Sequence, residues 1–118
     1  MLGQAKRARL GLGARRRLTR RADFERLLRA GVRRSQSGYT FYLARRGSGG
    51  PRLGILISRR HSTKASVRNR IKRSIREAFR LEQGALGALD VLVRPPLGPV
   101  PGARMIARLR ALFAELGR

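Results

Sequence analysis

The sequence predicts an α+β fold, a small sheet with helices mostly on one face and the other face partly open. Three observations carry this. Residues 39–44, 52–58 and 89–94 alternate or run apolar in short strand-length segments. Residues 65–83 and 102–116 repeat apolar side chains at helical spacing. The order along the chain is helix, two or three strands, helix, strand, helix. The strand–helix–strand unit of 52–94 makes its two strands parallel if they are neighbours.

In order, Leu18 precedes a short helix that ends near Gly31. Thr19 or Asp23 is placed to cap it, Phe24, Leu27 and Leu28 share a face, and Gly31 suits the left-handed position that closes a helix. A further short strand lies around 32–36. In 39–44, Tyr39, Phe41 and Leu43 point one way and Thr40, Tyr42 and Ala44 the other. Residues 45–51, with three glycines and a serine, form a hairpin-type loop. The strand at 52–58 puts Leu53, Ile55 and Ile57 on one face. Residues 59–65 are a polar, basic connection to the helix of 65–83, whose exit Gly84 and Gly87 mark. The strand at 89–94 follows. Pro95, Pro96, Pro99 and Pro101 then forbid regular structure. Met105, Ile106, Leu109, Leu112, Phe113 and Leu116 close the domain on a last helix.

The formal net charge is +23 on 118 residues, while 42% of residues are hydrophobic. This is a folding chain, not a disordered polybasic one. Charge of one sign at this density opposes compaction, and a polyanion relieves it with counterion release. Nucleic acid is the leading partner. Only Lys6, Lys64 and Lys72 are lysine, an arginine bias that coding composition largely explains. No cysteine is present, so disulfides and thiolate metal sites are excluded. No apolar run approaches membrane-spanning length, and the basic N-terminus lacks the apolar stretch of a secretory signal, which fits a cytoplasmic protein. Residues 1–17 read as a loose basic arm and 18–118 as one domain.

The helix of 65–83 is the most informative segment. Val67, Ile71, Ile75, Ala78 and Phe79 form an apolar stripe, whereas Asn69, Arg73, Arg76 and Arg80 fall opposite, flanked by Arg70 and Lys72. Acids are too few for salt-bridge ladders: Glu77 can pair with Arg73 or Arg80 and no further. The surplus fits a face that binds phosphates in a fixed place. Tyr42 is either a stacking platform on an open sheet face or packing beneath the first helix. Phe24 at helical spacing reads as core, and His61 beside Arg59 and Arg60 as a loop residue or phosphate contact. No paired carboxylates, metal-ligand cluster or nucleophile–base pair is present, so a stand-alone nuclease is poorly supported.

Leu53-Gly54-Ile55-Leu56-Ile57-Ser58-Arg59-Arg60, then Lys64-Ala65, then Arg68-Asn69-Arg70-Ile71-Lys72-Arg73 and Arg76-Glu77-Ala78-Phe79-Arg80 closely resemble the signature of the bacterial ribonuclease P protein subunit. The flanks agree at Leu18, Asp23-Phe24, Gly31, Phe41-Tyr42-Leu43 and Asp90-Val91-Leu92-Val93, so the resemblance spans roughly residues 18–116. It implies an α-β-β-β-α-β-α order with a left-handed crossover around the motif helix, where the general rule predicts a right-handed one. It also implies an accessory role to a catalytic RNA that removes the 5′ leader of precursor tRNA, with Mg2+ held mainly by the RNA subunit and substrate. Carried over by position, Arg59, Arg60, Lys64, Arg68, Asn69, Arg70, Lys72 and Arg73 would bind the RNA subunit. Phe24, Tyr42, Arg76 and Arg80 would bind the leader. Leu28 stands where relatives often carry an aromatic, Arg59 and Arg60 where lysines are common, and His61-Ser62-Thr63 departs from the family's turn. The rivals are a ribosomal protein or general RNA chaperone, and more distantly a DNA-binding regulator or a protein-only nuclease.

Overall fold

The computed structural model describes residues 16–117. The elements are α1 (Arg21–Ala30), β1 (Val32–Gln36), β2 (Tyr39–Arg45), β3 (Arg52–Ile55), α2 (Ala65–Glu82), β4 (Leu89–Arg94) and α3 (Ala103–Leu116). A single turn of 3-10 helix, Gln83–Ala85, follows α2. The four-stranded sheet has the order β1-β2-β4-β3, with β4 antiparallel to β2 and parallel to β3. The expected α+β class and the parallel pairing across the strand–helix–strand unit both hold. Residues 1–15 of the expected arm lie outside the described residues.

Alternation along β4 assigns the two faces. Leu89, Val91 and Val93 join Tyr39, Phe41, Leu43 and Leu53 in the main core, beneath α2 and α3. α2 contributes Ile71, Ile75, Ala78 and Phe79, and α3 contributes Met105, Leu109, Leu112, Phe113 and Leu116. The Phe113 ring meets Phe41 and Phe79 edge-on, at centroid distances of 5.9 and 5.6 Å. Each large side chain covered in this way contributes about 1.5–3 kcal/mol. On the opposite face Leu92 and Tyr42 pack with Leu18 and Leu27, and with the half-buried Phe24, Ala44 and Leu56. α1 therefore covers much of the face expected to lie partly open.

Several local expectations are corrected. Neither Thr19 nor Asp23 caps α1. Arg20 holds the extended N-cap position with no side-chain cap, and Asp23 lies inside the first turn, where its charge suits the helix dipole. Gly31 is not left-handed, since its φ is −72°. Glycine is required there because a Cβ would meet the Leu27 carbonyl oxygen at 2.5 Å and that of Leu43 at 3.1 Å. β1 and β2 join through Ser37 and Gly38, both at positive φ (55° and 82°), the twist that a two-residue hairpin turn favours. β3 ends at Ile55 rather than at residue 58. Leu56 still donates its N–H to the Val93 carbonyl at 2.8 Å, but Pro95 and Pro96 beyond β4 have no N–H with which to continue the ladder.

Candidate nucleic-acid interface

α2 is 18 residues long, and no acid lies in its first turn. Its core stripe is buried as the spacing predicts, with Val67 partly covered. The buried stripe fixes the rotation of the helix, so the outward positions of Asn69, Arg70 and Arg73 follow from it, and all three are exposed. Arg68 is different. It is half-buried, and its guanidinium donates to the Ser62 carbonyl at 2.9 Å, bracing the connection that leads into the helix. Arg59, Arg60 and Lys64 are exposed on that connection, near the start of α2. His61 spends both ring nitrogens locally. Nδ1 accepts the Ser58 N–H at 3.0 Å, and Nε2 donates to the Pro95 carbonyl at 3.1 Å. It ties the connection to the end of β4.

Two grooves flank α2. The smaller, about 160 Å³, is walled by Phe24, the Leu53–Gly54–Ile55 backbone of β3, Lys72 and Arg76, with Arg17, Leu18 and Thr19 at its edge. Gly54 makes this cleft possible: a Cβ there would lie 3.1 Å from the Phe24 ring and 2.9 Å from Leu92. The larger, about 490 Å³, runs between α2 and the start of α3 and is lined by Arg17, Arg70, Arg73, Arg76 and Arg80. Glu77, also in its wall, binds Arg80 at 2.6 Å. That bond lowers the Glu77 carboxyl below its ordinary range and raises the Arg80 guanidinium. Arg76 is pushed down, first by its burial and then by the positive charge of Arg17.

The four residues expected to bind the leader do not all line one cleft. Phe24 and Arg76 meet in the small cleft. Arg80 does not line it; three to four residues further along the helix than Arg76 and Glu77, it lies in the larger groove with Arg70 and Arg73. Tyr42 is only 8% exposed, because α1 packs over it. Of its two readings, packing beneath the helix describes its place. The Arg94 guanidinium stands 5.7 Å from its ring centroid.

Sequence reasoning missed two features. Arg17, assigned to the loose arm, forms a parallel bridge to Leu53, and Leu18 donates its N–H to the Leu53 carbonyl at 2.8 Å. Apart from the flanking Leu18, nothing in the local pattern signals this. The second is Asp90. It is fully buried on the α1 face, gripped by Arg52 through two hydrogen bonds of 2.8 Å and by Arg26 at 3.1 Å, with Arg46 Nε 2.9 Å from Oδ1. A lone aspartate inside an apolar strand was the available signal. Among the described residues no three of His, Asp or Glu converge to hold a metal, and no helix is long and apolar enough to cross a membrane.

The sequence matches the family described as Ribonuclease P over residues 12–117. The chain belongs to the ribonuclease P protein family. It is 35% identical over 102 residues to the ribonuclease P protein component of Nitrosococcus oceani, covering 85% of this chain and 86% of that one. It is 39% identical over 102 residues to that of Halorhodospira halophila, covering 84% of each. Among solved structures, the ribonuclease P protein from Thermotoga maritima superposes with a TM-score of 0.72 at 27% identity, covering 84% of this chain and 96% of that one. Membership makes the chain a protein component of the ribonuclease P endoribonuclease, with the ribonuclease P RNA as its partner. The charged face of α2 is of the kind that suits a polyanion.

Proposed function

We propose that this ribonuclease P protein binds the catalytic RNA along α2 and holds the 5′ leader of precursor tRNA in the cleft between α1, β3 and α2, thereby promoting endonucleolytic removal of the leader. The observation that carries the reading is the pair of grooves on either flank of one helix. The small cleft combines an aromatic ring with Lys72 and Arg76, the composition that accepts unpaired nucleotides by stacking and phosphate contact. The exposed Asn69, Arg70 and Arg73, with Arg59, Arg60 and Lys64 near the start of the helix, offer the RNA subunit a separate seat. Tyr42 supports the cleft from below, beneath Phe24, rather than by stacking a base itself.

The protein supplies no reacting group. Its contribution is to neutralise phosphates and fix geometry, so that RNA and substrate approach at modest divalent ion. Mg2+ would be held by the RNA and substrate, where it would supply the charge that stabilises the developing negative charge on the reacting oxygens. Five of the six acids, Asp23, Glu25, Glu77, Glu82 and Asp90, each engage an arginine, and the sixth, Glu115, is exposed with no other acid beside it in sequence, a set that does not suit a resident ion. A cytoplasmic location agrees with such partners.

The test is cleavage of precursor tRNA by a bacterial ribonuclease P RNA at low Mg2+, with and without the protein. Correct 5′ processing that needs both components is expected, and the protein alone should be inactive. Tight binding to unrelated RNAs without stimulation would overturn the reading in favour of a general RNA chaperone or ribosomal protein.

A further inference from the structure

The groove between α2 and the start of α3 has a composition that a phosphate-tracking surface does not need. Its rim carries Arg17, Arg70, Arg73 and Arg76, none of which has an acidic partner among the described residues. Its floor is apolar, made of Pro101, Gly102 and the half-buried Ile106. Ser74 anchors that floor: its hydroxyl donates to the Arg70 carbonyl at 3.0 Å and accepts the Gly102 N–H at 3.1 Å. At about 490 Å³ the groove falls in the range of small-ligand sites, about 300–1,000 Å³. Paired RNA offers a protein mainly its backbone and shallow groove, whereas an unpaired nucleotide offers a flat base as well. A concave site with a cationic rim and an apolar floor matches the latter.

We propose that this groove seats one unpaired nucleotide of the ribonuclease P RNA, its phosphate held by Arg17, Arg70, Arg73 and Arg76 and its base lying against Ile106 and Pro101. The inference rests on the proposed function, and the occupant is the RNA subunit because the aromatic cleft on the other flank of α2 takes the leader. Arg17 is the residue that the proposal adds. The bridge to Leu53 fixes its backbone at the free edge of β3, and its side chain, like that of Arg76, borders both grooves. Two cations bordering one groove repel, the one acid in its wall, Glu77, being engaged by Arg80, and a phosphate held by both removes that repulsion.

The test uses the full chain and a bacterial ribonuclease P RNA, reading affinity across KCl concentration and the chemical reactivity of unpaired bases. Arg17→Ala is expected to weaken binding several-fold and to reduce the log–log salt slope by about 0.7–0.9, one phosphate contact. In the wild-type complex at least one unpaired base should be shielded. Ile106→Ala should re-expose that base with the salt slope unchanged, and Ile106→Met, which keeps an apolar floor, should not. If Ile106→Ala melts the fold, the loss of the same base protection in Arg17→Ala decides instead. Wild-type affinity and slope in Arg17→Ala, or protein protection confined to paired segments, would overturn the proposal. Processing of precursor tRNA in the same preparations separates the two failures. Normal stimulation with an inert Arg17 rejects the nucleotide seat alone, whereas no stimulation by the wild-type chain rejects the parent reading.

Discussion

Replacing Asp90 by Asn should lower stability by about 3 kcal/mol, the low end of what removing one partner from a buried ion pair costs. The carboxylate is fully covered and holds both Arg52 hydrogen bonds and the Arg26 bond, with Arg46 against Oδ1. The low end applies because the arginine side chains keep 27%, 28% and 43% of their surface in water for Arg46, Arg52 and Arg26. Asn preserves shape but leaves three guanidiniums converging on a neutral amide. At about 4 °C per kcal/mol for a domain of this size, Tm should drop by about 12 °C. Burial alone would raise the Asp90 carboxyl; hydrogen bonds from Arg52 and Arg26, with the charges of Arg52 and Arg46, outweigh it and hold the group below its ordinary range. A carboxyl depressed on folding contributes its full stability above the unfolded value of about 3.9 and loses it as pH falls through the folded value. The wild-type chain should therefore lose stability below about pH 4, and Asp90→Asn should lose less of it over the same window. Circular dichroism melts at pH 7 and between pH 6 and pH 2 measure both. An additional Arg52→Leu change should cost less in the Asn background than alone, because the two residues are coupled. A Tm within about 3 °C of wild type at pH 7, or an unchanged acid limb, would refute the electrostatic account of this site.

Other perturbations give separable outcomes. Arg70→Ala with Arg73→Ala should leave Tm unchanged, both side chains being exposed, while reducing the salt slope of RNA binding by about 1.4–1.8 in a filter-binding series. Gly54→Ala should push the Phe24 ring outward, lower stability by about 1–3 kcal/mol, and raise KM for precursors with a long leader more than for those with a single-nucleotide leader. Gly31→Ala should destabilise by a similar amount, about 1–3 kcal/mol in urea unfolding, through contact with the Leu27 carbonyl and not through a forbidden φ; leader dependence should be unaffected.

The elements legible in the sequence are those whose periodicity is enforced by burial. The stripe of α2, the α3 positions from Met105 to Leu116 and the run of β4 all appear where spacing puts them, because each faces the one core. What stayed illegible depends on contacts between distant segments. β3 stops early because its neighbour in the sheet is followed by prolines, a fact about pairing that β3 itself does not carry. Gly31 reads as a left-handed helix terminator, yet what requires glycine is the close approach of the Leu27 carbonyl one turn back and, less tightly, of the Leu43 carbonyl from β2. In the candidate site, the outward face of α2 was readable from helical angle alone. Its division into two grooves was not, because β3 and Phe24 wall one flank and the start of α3 walls the other. The place of Arg80 in the larger groove was unreadable for that reason, and Arg17 was missed because a single bridge to Leu53 leaves no periodic trace.

The acids explain why these arginines differ in role. With 29 basic and 6 acidic residues, composition cannot separate structural cations from those available to RNA. The placement of the acids does. Asp90 takes Arg26, Arg46 and Arg52 into a buried tie that joins α1, β3 and the loop after β2 to β4, the framework that holds Phe24 against Gly54. Glu77 and Glu82 engage Arg80 and Arg110 along the α2–α3 side. Among the described residues Arg17, Arg70, Arg73 and Arg76 have no acidic partner, as is true also of Arg33, Arg34, Arg59 and Arg60, but these four line one groove beside α2. A scarce residue type thus decides where an abundant one is free to act. Adding an acid near these four should weaken RNA binding more than removing any single arginine, because it both cancels a charge and gives a neighbouring guanidinium an internal partner. Arg73→Glu against Arg73→Ala tests this directly in the same salt series, and equal losses for the two variants would argue that each arginine contacts RNA independently of its neighbours.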